Sequence, residues 1–123
     1  MSVQPRVLIV DDEPDLRELL RLELEGHGWQ VEEAANGRDA WRLLQSRDVD
    51  VVLTDLRMPG GSGLELVERL RERGAPPPEI FLMSGYADVS LEQTRALGAH
   101  PLLAKPFDFE GVARKLGLAL GRA

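Results

Sequence analysis

Short apolar runs rich in β-branched residues alternate with longer segments of helical period along almost the whole chain. This alternation predicts five strands and five helices. Because parallel strands need crossover connections, it favours an α/β fold with a doubly wound, five-stranded parallel sheet covered on both faces. We predict strands at 6–10, 30–34, 49–54, 79–83 and 102–104, and helices at 14–26, 37–44, from residue 62 onward, at 89–97 and at 109–120.

Two of the predicted helices begin with recognisable signals. Pro14 suits the first turn of the first helix, where a missing N–H costs nothing. Ser62, followed by Glu65, has the spacing of a capping box at the start of the third helix. The core face of the first helix is predicted to carry the leucines 16, 19, 20 and 24.

Length and composition narrow the class of protein. With 123 residues the chain suits a single domain, 1–123. It contains no cysteine, which excludes disulfides, thiolate metal sites and cysteine nucleophiles. The net charge of -6 disfavours nucleic-acid binding by this domain. No apolar run approaches the roughly 20 residues of a membrane span, and no secretory signal pattern opens the chain, so we expect a cytoplasmic protein.

Polar side chains follow four of the five predicted strands. Asp11 and Asp12 follow the first strand, Asp55 the third, Ser84 the fourth and Lys105 the fifth. Each of them alone has an ordinary explanation as a cap, a turn residue or a solvated charge. In a parallel α/β sheet, however, ligands bind beyond the carboxyl ends of the strands, where these side chains would meet.

The combination points to phosphoryl chemistry. Three carboxylates in one crevice repel each other unless a cation neutralises them, and Mg²⁺ typically takes one or two carboxylates together with phosphate oxygens. The ammonium of Lys105 and the hydroxyl of Ser84 can hold phosphoryl oxygens. Asp55 would then be the nucleophile and would become an aspartyl phosphate.

The chain resembles the receiver domain of response regulators, the phosphoacceptor of bacterial two-component signalling. The matching segments are VLIVDDEPDLRELL at 7–20, VDVVLTDLRMPGGSGLEL at 49–66, IFLMSGYAD at 80–88 and LGAHPLLAKPF at 97–107. The resemblance implies a flavodoxin-like strand order, 2-1-3-4-5. It also implies Mg²⁺ as the cofactor, with Mn²⁺ as a substitute.

The resemblance implies a role for each matching residue. Asp55 corresponds to the phosphorylated aspartate, Asp12 to a direct metal ligand and Asp11 to a ligand acting through water. The backbone carbonyl of Arg57 corresponds to a further metal ligand. Ser84 and Lys105 correspond to the residues that contact the phosphoryl group. The family commonly has Tyr or Phe as the switch residue three positions before the lysine, whereas this chain has Leu102.

The implied phosphoryl donor is a histidine kinase, a histidine phosphotransfer protein or a small acyl phosphate. The implied output is a protein contact or a homodimer through the surface of the fourth helix, fifth strand and fifth helix. The chain would not be an enzyme beyond accepting the phosphoryl group and slowly losing it. Two alternatives stay open: a receiver-like scaffold that is not phosphorylated, which Leu102 keeps alive, and a Mg²⁺-dependent aspartyl phosphohydrolase.

Other features are given ordinary explanations. Gly60 to Gly63 lacks the lysine of a P-loop and is interpreted as a flexible loop beside the site. His27 and His100 have no ligand-spaced partners and are expected to be solvated. Trp29 and Trp41 are expected to be buried or half-buried.

Overall fold

A computed structural model describes residues 4–56, 62–73, 77–84, 96, 98–100, 103–104 and 108–121. Its strands are β1 Arg6–Val10, β2 Gln30–Ala34, β3 Val51–Asp55, β4 Glu79–Ser84 and β5 Leu103–Ala104. The helices among the described residues are α1 Pro14–Gly26, α2 Gly37–Leu44, α3 Gly63–Glu72 and α4 Phe109–Ala119. The described helices are all too short or too polar to cross a lipid bilayer.

The strands form one parallel sheet in the order β2-β1-β3-β4-β5. The predicted α/β fold is confirmed, and the first four strands lie in the order 2-1-3-4. At the fifth position two residues, Leu103–Ala104, pair with Met83 and Ser84 of β4. Four strands of five or six residues make up most of the sheet, and residue 102 of the predicted fifth strand, 102–104, lies outside the described residues.

Helices cover both faces of the sheet. Successive residues of each strand point to opposite faces, so β1, β3 and β4 each contribute to two apolar clusters. On one side, Val7, Ile9 and Leu53 pack with buried residues of α1 and α4. On the other side, Leu8 and Val52 pack with buried residues of α2 and α3. The sheet is consequently buried on both faces, as the continuous apolar strands predict.

The helix starts follow the predicted signals. Pro14 occupies the first turn of α1. The Ser62 hydroxyl accepts a hydrogen bond from the Glu65 backbone N–H at 3.2 Å, which satisfies one of the free donors at the start of α3. Asn36 caps α2 and Asp108 caps α4 in the same way.

Several predicted details need correction. Strand β3 spans 51–55 instead of 49–54, so that Asp55 is its last residue and pairs with Met83. On α1, Leu20 and Leu24 are buried but Leu19 is 53% exposed, because it lies about 100° around the helix from the stripe spaced by four residues. The predicted helix 89–97 lies outside the described residues, apart from Ala96.

The aromatic residues largely follow expectation. Trp29 is buried and Trp41 is half-buried. His27 is exposed, as predicted. His100 is not simply solvated, because its ring stacks on Phe81 with a centroid distance of 4.2 Å and its Nε2 lies 2.9 Å from the Glu79 carboxylate.

Candidate functional site

Three of the predicted site residues lie at the carboxyl ends of neighbouring strands. Asp11 directly follows β1, Asp55 ends β3 and Ser84 ends β4. These three strands are adjacent in the sheet, so the polar side chains share one edge. Asp11, Asp55 and Ser84 are 0%, 8% and 3% exposed, respectively, while the other buried residues of these strands are mostly apolar. The burial of two carboxylates and a hydroxyl at one end of the sheet makes this edge the candidate functional site.

Four carboxylates gather at this edge. Ligand oxygens of Asp11, Asp12, Glu13 and Asp55 all lie within 4.8 Å of one another. We call these four residues the acid cluster. Its Asp11 and Asp55 members are buried, and Asp12 and Glu13 are exposed. Glu13 is not among the site residues predicted from the sequence, where its position directly after Asp12 is the signal for it.

The chemistry of the acid cluster fits a hard divalent cation. All its side-chain donors are carboxylate oxygens, the type of ligand that Mg²⁺ and Mn²⁺ bind. Two donors come from the protein interior and two from the solvent side, an arrangement that suits a cation that keeps some of its water. The acid cluster therefore fits Mg²⁺ both in the type of its ligand atoms and in the short distances between them.

The β1–α1 junction holds its part of the acid cluster through local hydrogen bonds. The Asp11 N–H donates to the Ala34 carbonyl of β2 at 3.2 Å. The Asp11 Oδ1 accepts the Glu13 N–H at 2.8 Å, so that the chain turns directly into α1. We call residues 11–13, between β1 and α1, the acidic loop. These hydrogen bonds tie the acidic loop to β2 and to the start of α1.

The β3–α3 junction is packed tightly around Asp55. The buried hydroxyl of Thr54 donates to the Asp55 backbone carbonyl at 3.0 Å. The Gly63 N–H donates to the Leu56 carbonyl at 3.2 Å, which brings the start of α3 back to the end of β3. A Cβ atom at Gly63 would lie 2.1 Å from the Asp55 carbonyl oxygen, so only glycine fits there without a shift of the backbone.

This contact corrects the interpretation of the glycine segment. Gly63, predicted to belong to a flexible loop, is the first residue of α3 and is buried against Asp55. The segment 57–61 lies outside the described residues, as do Arg57, Leu102 and Lys105. The structure therefore brings together Asp11, Asp12 and Asp55 of the predicted set, places Ser84 at the end of the neighbouring strand β4, and adds Glu13, Thr54 and Gly63.

Known proteins share this chain's sequence and fold. The model of the response regulator receiver domain family matches residues 7–116. Response regulator protein PilR of Pseudomonas aeruginosa is 37% identical over 116 residues, which cover 94% of this chain and 26% of PilR. The positive alginate biosynthesis regulatory protein of the same organism is 45% identical over 115 residues, 89% of this chain and 45% of that protein. The chain thus spans less than half the length of these two curated relatives.

A solved structure extends the likeness to the whole fold. Response regulator protein TrrA of Thermotoga maritima, determined in complex with Mg²⁺-BeF, superposes with a TM-score of 0.82 at 33% identity. The aligned region covers 94% of this chain and 98% of TrrA. The family match covers residues 7–116, and TrrA is similar to this chain over nearly the whole length of both proteins. The chain belongs to the response regulator receiver domain family of two-component signalling.

Proposed function

We propose that Asp55 accepts a phosphoryl group from a phosphohistidine of a histidine kinase or a histidine phosphotransfer protein, with Mg²⁺ as the cofactor. The observation that carries the proposal is the position of Asp55, at the end of β3 and within 4.8 Å of Asp11, Asp12 and Glu13. Asp55 ends β3, the strand that lies between β1, which the other acidic residues follow, and β4, which ends in Ser84.

In the proposed step, a carboxylate oxygen of Asp55 attacks the phosphorus atom of the donor. A P–O bond to Asp55 forms while the P–N bond to the donor imidazole breaks, and the imidazole nitrogen keeps the electron pair. Phosphoryl transfer depends mainly on positioning and on neutralising the phosphoryl charge. The tight packing of Thr54 and Gly63 against Asp55 supplies the positioning.

The proposed metal ligands are Asp12, Asp55 and the backbone carbonyl of Arg57, with Asp11 acting through water. Bound Mg²⁺ would supply positive charge to the phosphoryl oxygens. The Mg²⁺-BeF complex of TrrA supports this choice of cation, and the all-oxygen acid cluster supports it independently. Glu13 joins the proposed set because its carboxylate lies in the same cluster.

Ser84 and Lys105 are proposed to hold the remaining phosphoryl oxygens, the first by a hydroxyl hydrogen bond and the second by its ammonium charge. Movement of Ser84 toward the phosphoryl group would then alter the surface formed by the predicted helix 89–97, β5 and α4, with Leu102 as the neighbouring switch residue. That surface would bind a downstream protein or a second copy of the chain. Slow loss of the phosphoryl group by the domain itself would reset the switch.

The same proposal treats residues 1–123 as one receiver domain acting in the cytoplasm. The alternative scaffold role without phosphorylation is disfavoured because the sequence keeps the whole set that phosphoryl chemistry would use, namely Asp11, Asp12, Asp55, Ser84 and Lys105. A phosphohydrolase role finds no support in the family assignment, whose members are regulators.

Phosphorylation by a small donor tests the proposal. The wild type, Asp55→Asn and Asp48→Asn are incubated with acetyl phosphate, with and without Mg²⁺, and their intact masses are measured. Asp48 is a matched control because it is exposed and lies at the opposite edge of the sheet, before β3. We expect one added phosphoryl group, dependent on Mg²⁺, in the wild type and Asp48→Asn only. Failure of both acetyl phosphate and a phosphorylated histidine kinase to label the wild type would contradict the proposal.

A further inference from the structure

Arg17 links the acidic loop to the neighbouring strand β2. Its Nη1 donates to the backbone carbonyl oxygen of Asp11 at 2.6 Å. Its Nε donates to the Glu33 carboxylate at 3.3 Å. The Arg17 side chain is 19% exposed, so both bonds are largely shielded from water. The guanidinium of Arg17, the fourth residue of α1, therefore bridges the β1–α1 junction and β2.

We infer that Arg17 is a positioning residue for the metal site: it holds the main chain at Asp11 so that the acid cluster is preorganised for Mg²⁺. The inference rests on the proposed function, because it concerns the same site. Arg17 itself would not contact the metal or the phosphoryl group. It would act through the Asp11 carbonyl, six residues before it in the chain.

Three of the hydrogen bonds that hold Asp11 differ in their donors and acceptors, and the bond to the Asp11 carbonyl comes from the side chain of Arg17. The Asp11 N–H bonds to the Ala34 carbonyl, and the Asp11 Oδ1 accepts the Glu13 N–H. Both of these contacts involve main-chain groups, and a substitution does not remove them selectively. The bond from Arg17 to the Asp11 carbonyl can be removed by changing one side chain, and it is the shortest of the three.

Glu33 reduces the repulsion expected between the positive charge of Arg17 and a metal ion bound nearby. The Glu33 carboxylate accepts from Arg17 at 3.3 Å and from Arg21 at 2.9 Å, so it offsets part of the charge of both guanidinium groups. It also restricts the rotamers of Arg17, whose planar group can bond Glu33 and the Asp11 carbonyl together. The ion pair with Glu33 orients the Arg17 guanidinium so that its Nη1 donates to the Asp11 carbonyl.

A purely electrostatic role and a positioning role of Arg17 predict opposite changes in Mg²⁺ affinity when the Arg17 side chain is removed. If Arg17 acted only through its positive charge, its loss would make the acid cluster more attractive to Mg²⁺, and binding would tighten. If Arg17 positions Asp11, its loss would loosen the acidic loop, and binding would weaken. The sign of the change in Mg²⁺ affinity therefore separates the two roles.

The test is calorimetric titration of the unphosphorylated chain with MgCl₂, for the wild type, Arg17→Met, Arg17→Lys and Arg42→Met. Arg17→Lys keeps the charge but lacks the planar fork, so it isolates geometry. Arg42→Met is the matched control, since Arg42 also lies on a helix and its side chain is 76% exposed. We expect Kd to rise about tenfold in Arg17→Met, to rise by a smaller factor in Arg17→Lys and to stay unchanged in Arg42→Met.

A second readout is the Mg²⁺ dependence of labelling by acetyl phosphate. We expect Arg17→Lys to need more Mg²⁺ for half-maximal labelling and to approach the wild-type rate at saturating Mg²⁺. Equal or tighter Mg²⁺ binding in Arg17→Lys and in any Arg17→Met that folds would overturn the inference while leaving the proposed function intact. Absence of Mg²⁺ binding in the wild type would overturn the proposed function itself, a result that the titration distinguishes at once.

Discussion

Gly63 stands against the backbone carbonyl of Asp55, so closely that a Cβ atom would lie 2.1 Å from that oxygen and 3.1 Å from the Thr54 hydroxyl. The atom that a larger side chain would strike is main chain in a buried strand, which cannot move aside as a flexible side chain can. The start of α3 and the end of β3 therefore form one packed unit around Asp55.

Gly63→Ala should destabilise the fold and disturb Asp55 together. We expect the free energy of unfolding in urea to fall by about 3 kcal/mol, at the upper part of the range for overpacked cores. The rate of labelling by acetyl phosphate should fall as well, because the shift falls on the main chain of Asp55. Gly26→Ala is the control: it adds the same methyl group at the last position of α1, where nothing lies within 4 Å.

Gly26→Ala should leave labelling unchanged and should stabilise the chain slightly, since alanine favours helix over glycine by up to about 1 kcal/mol. Two variants with equal stability and equal labelling rates would show that the Gly63 contact has no part in positioning Asp55.

Thr54→Val tests the contribution of the Thr54 hydroxyl, because valine has nearly the same shape but no hydroxyl. The Thr54 hydroxyl donates to the Asp55 carbonyl at 3.0 Å in a fully buried position, and valine cannot make that bond. We expect a loss of about 1 to 2 kcal/mol in urea unfolding and slower labelling by acetyl phosphate. Thr54→Ser keeps the hydroxyl and should retain the wild-type labelling rate, although it loses a buried methyl group. Slower labelling in Thr54→Ser than in Thr54→Val would contradict this role of the hydroxyl.

Mg²⁺ should stabilise the chain through the acid cluster. At Mg²⁺ concentrations about 100 times Kd, a ligand that binds only the folded state adds about 2.7 kcal/mol to the free energy of unfolding. Asp12→Asn should lose most of this gain, yet in EDTA it should be at least as stable as the wild type, because one repulsive carboxylate is gone. Glu18→Gln, an exposed change on α1 outside the acid cluster, is the control and should keep the full gain.

The measurement is the thermal or urea unfolding of each variant, once with Mg²⁺ and once with EDTA, which chelates the metal. An equal Mg²⁺ effect on Asp12→Asn and Glu18→Gln would place the cation somewhere other than the acid cluster.

Much of the site could be predicted because it depends on strand ends. Once the apolar runs define the strands, Asp11, Asp55 and Ser84 must share an edge of a parallel sheet, and the structure places them there. The Ser62 cap was equally predictable, since a cap depends on residues within one turn. These features need only the local period of the sequence.

The remaining features depend on how separate elements approach each other. The close contact of Gly63 with Asp55 needs the angle at which α3 returns to β3, and a run of glycines gives no hint of it. The reach of Arg17 to Asp11 and Glu33 needs the packing of α1 beside β2. The stacking of His100 on Phe81 likewise joins segments that are distant in sequence.

The central claim is that Asp55 itself carries the phosphoryl group, and reductive trapping tests it most directly. Borohydride converts an aspartyl phosphate to homoserine, and the tryptic peptide 48–57 contains Asp48, Asp50 and Asp55. After labelling with acetyl phosphate and Mg²⁺, we predict that fragmentation of this peptide places homoserine at position 55 alone. Homoserine at Asp11, Asp12 or another aspartate, with Asp55 unchanged, would contradict the account.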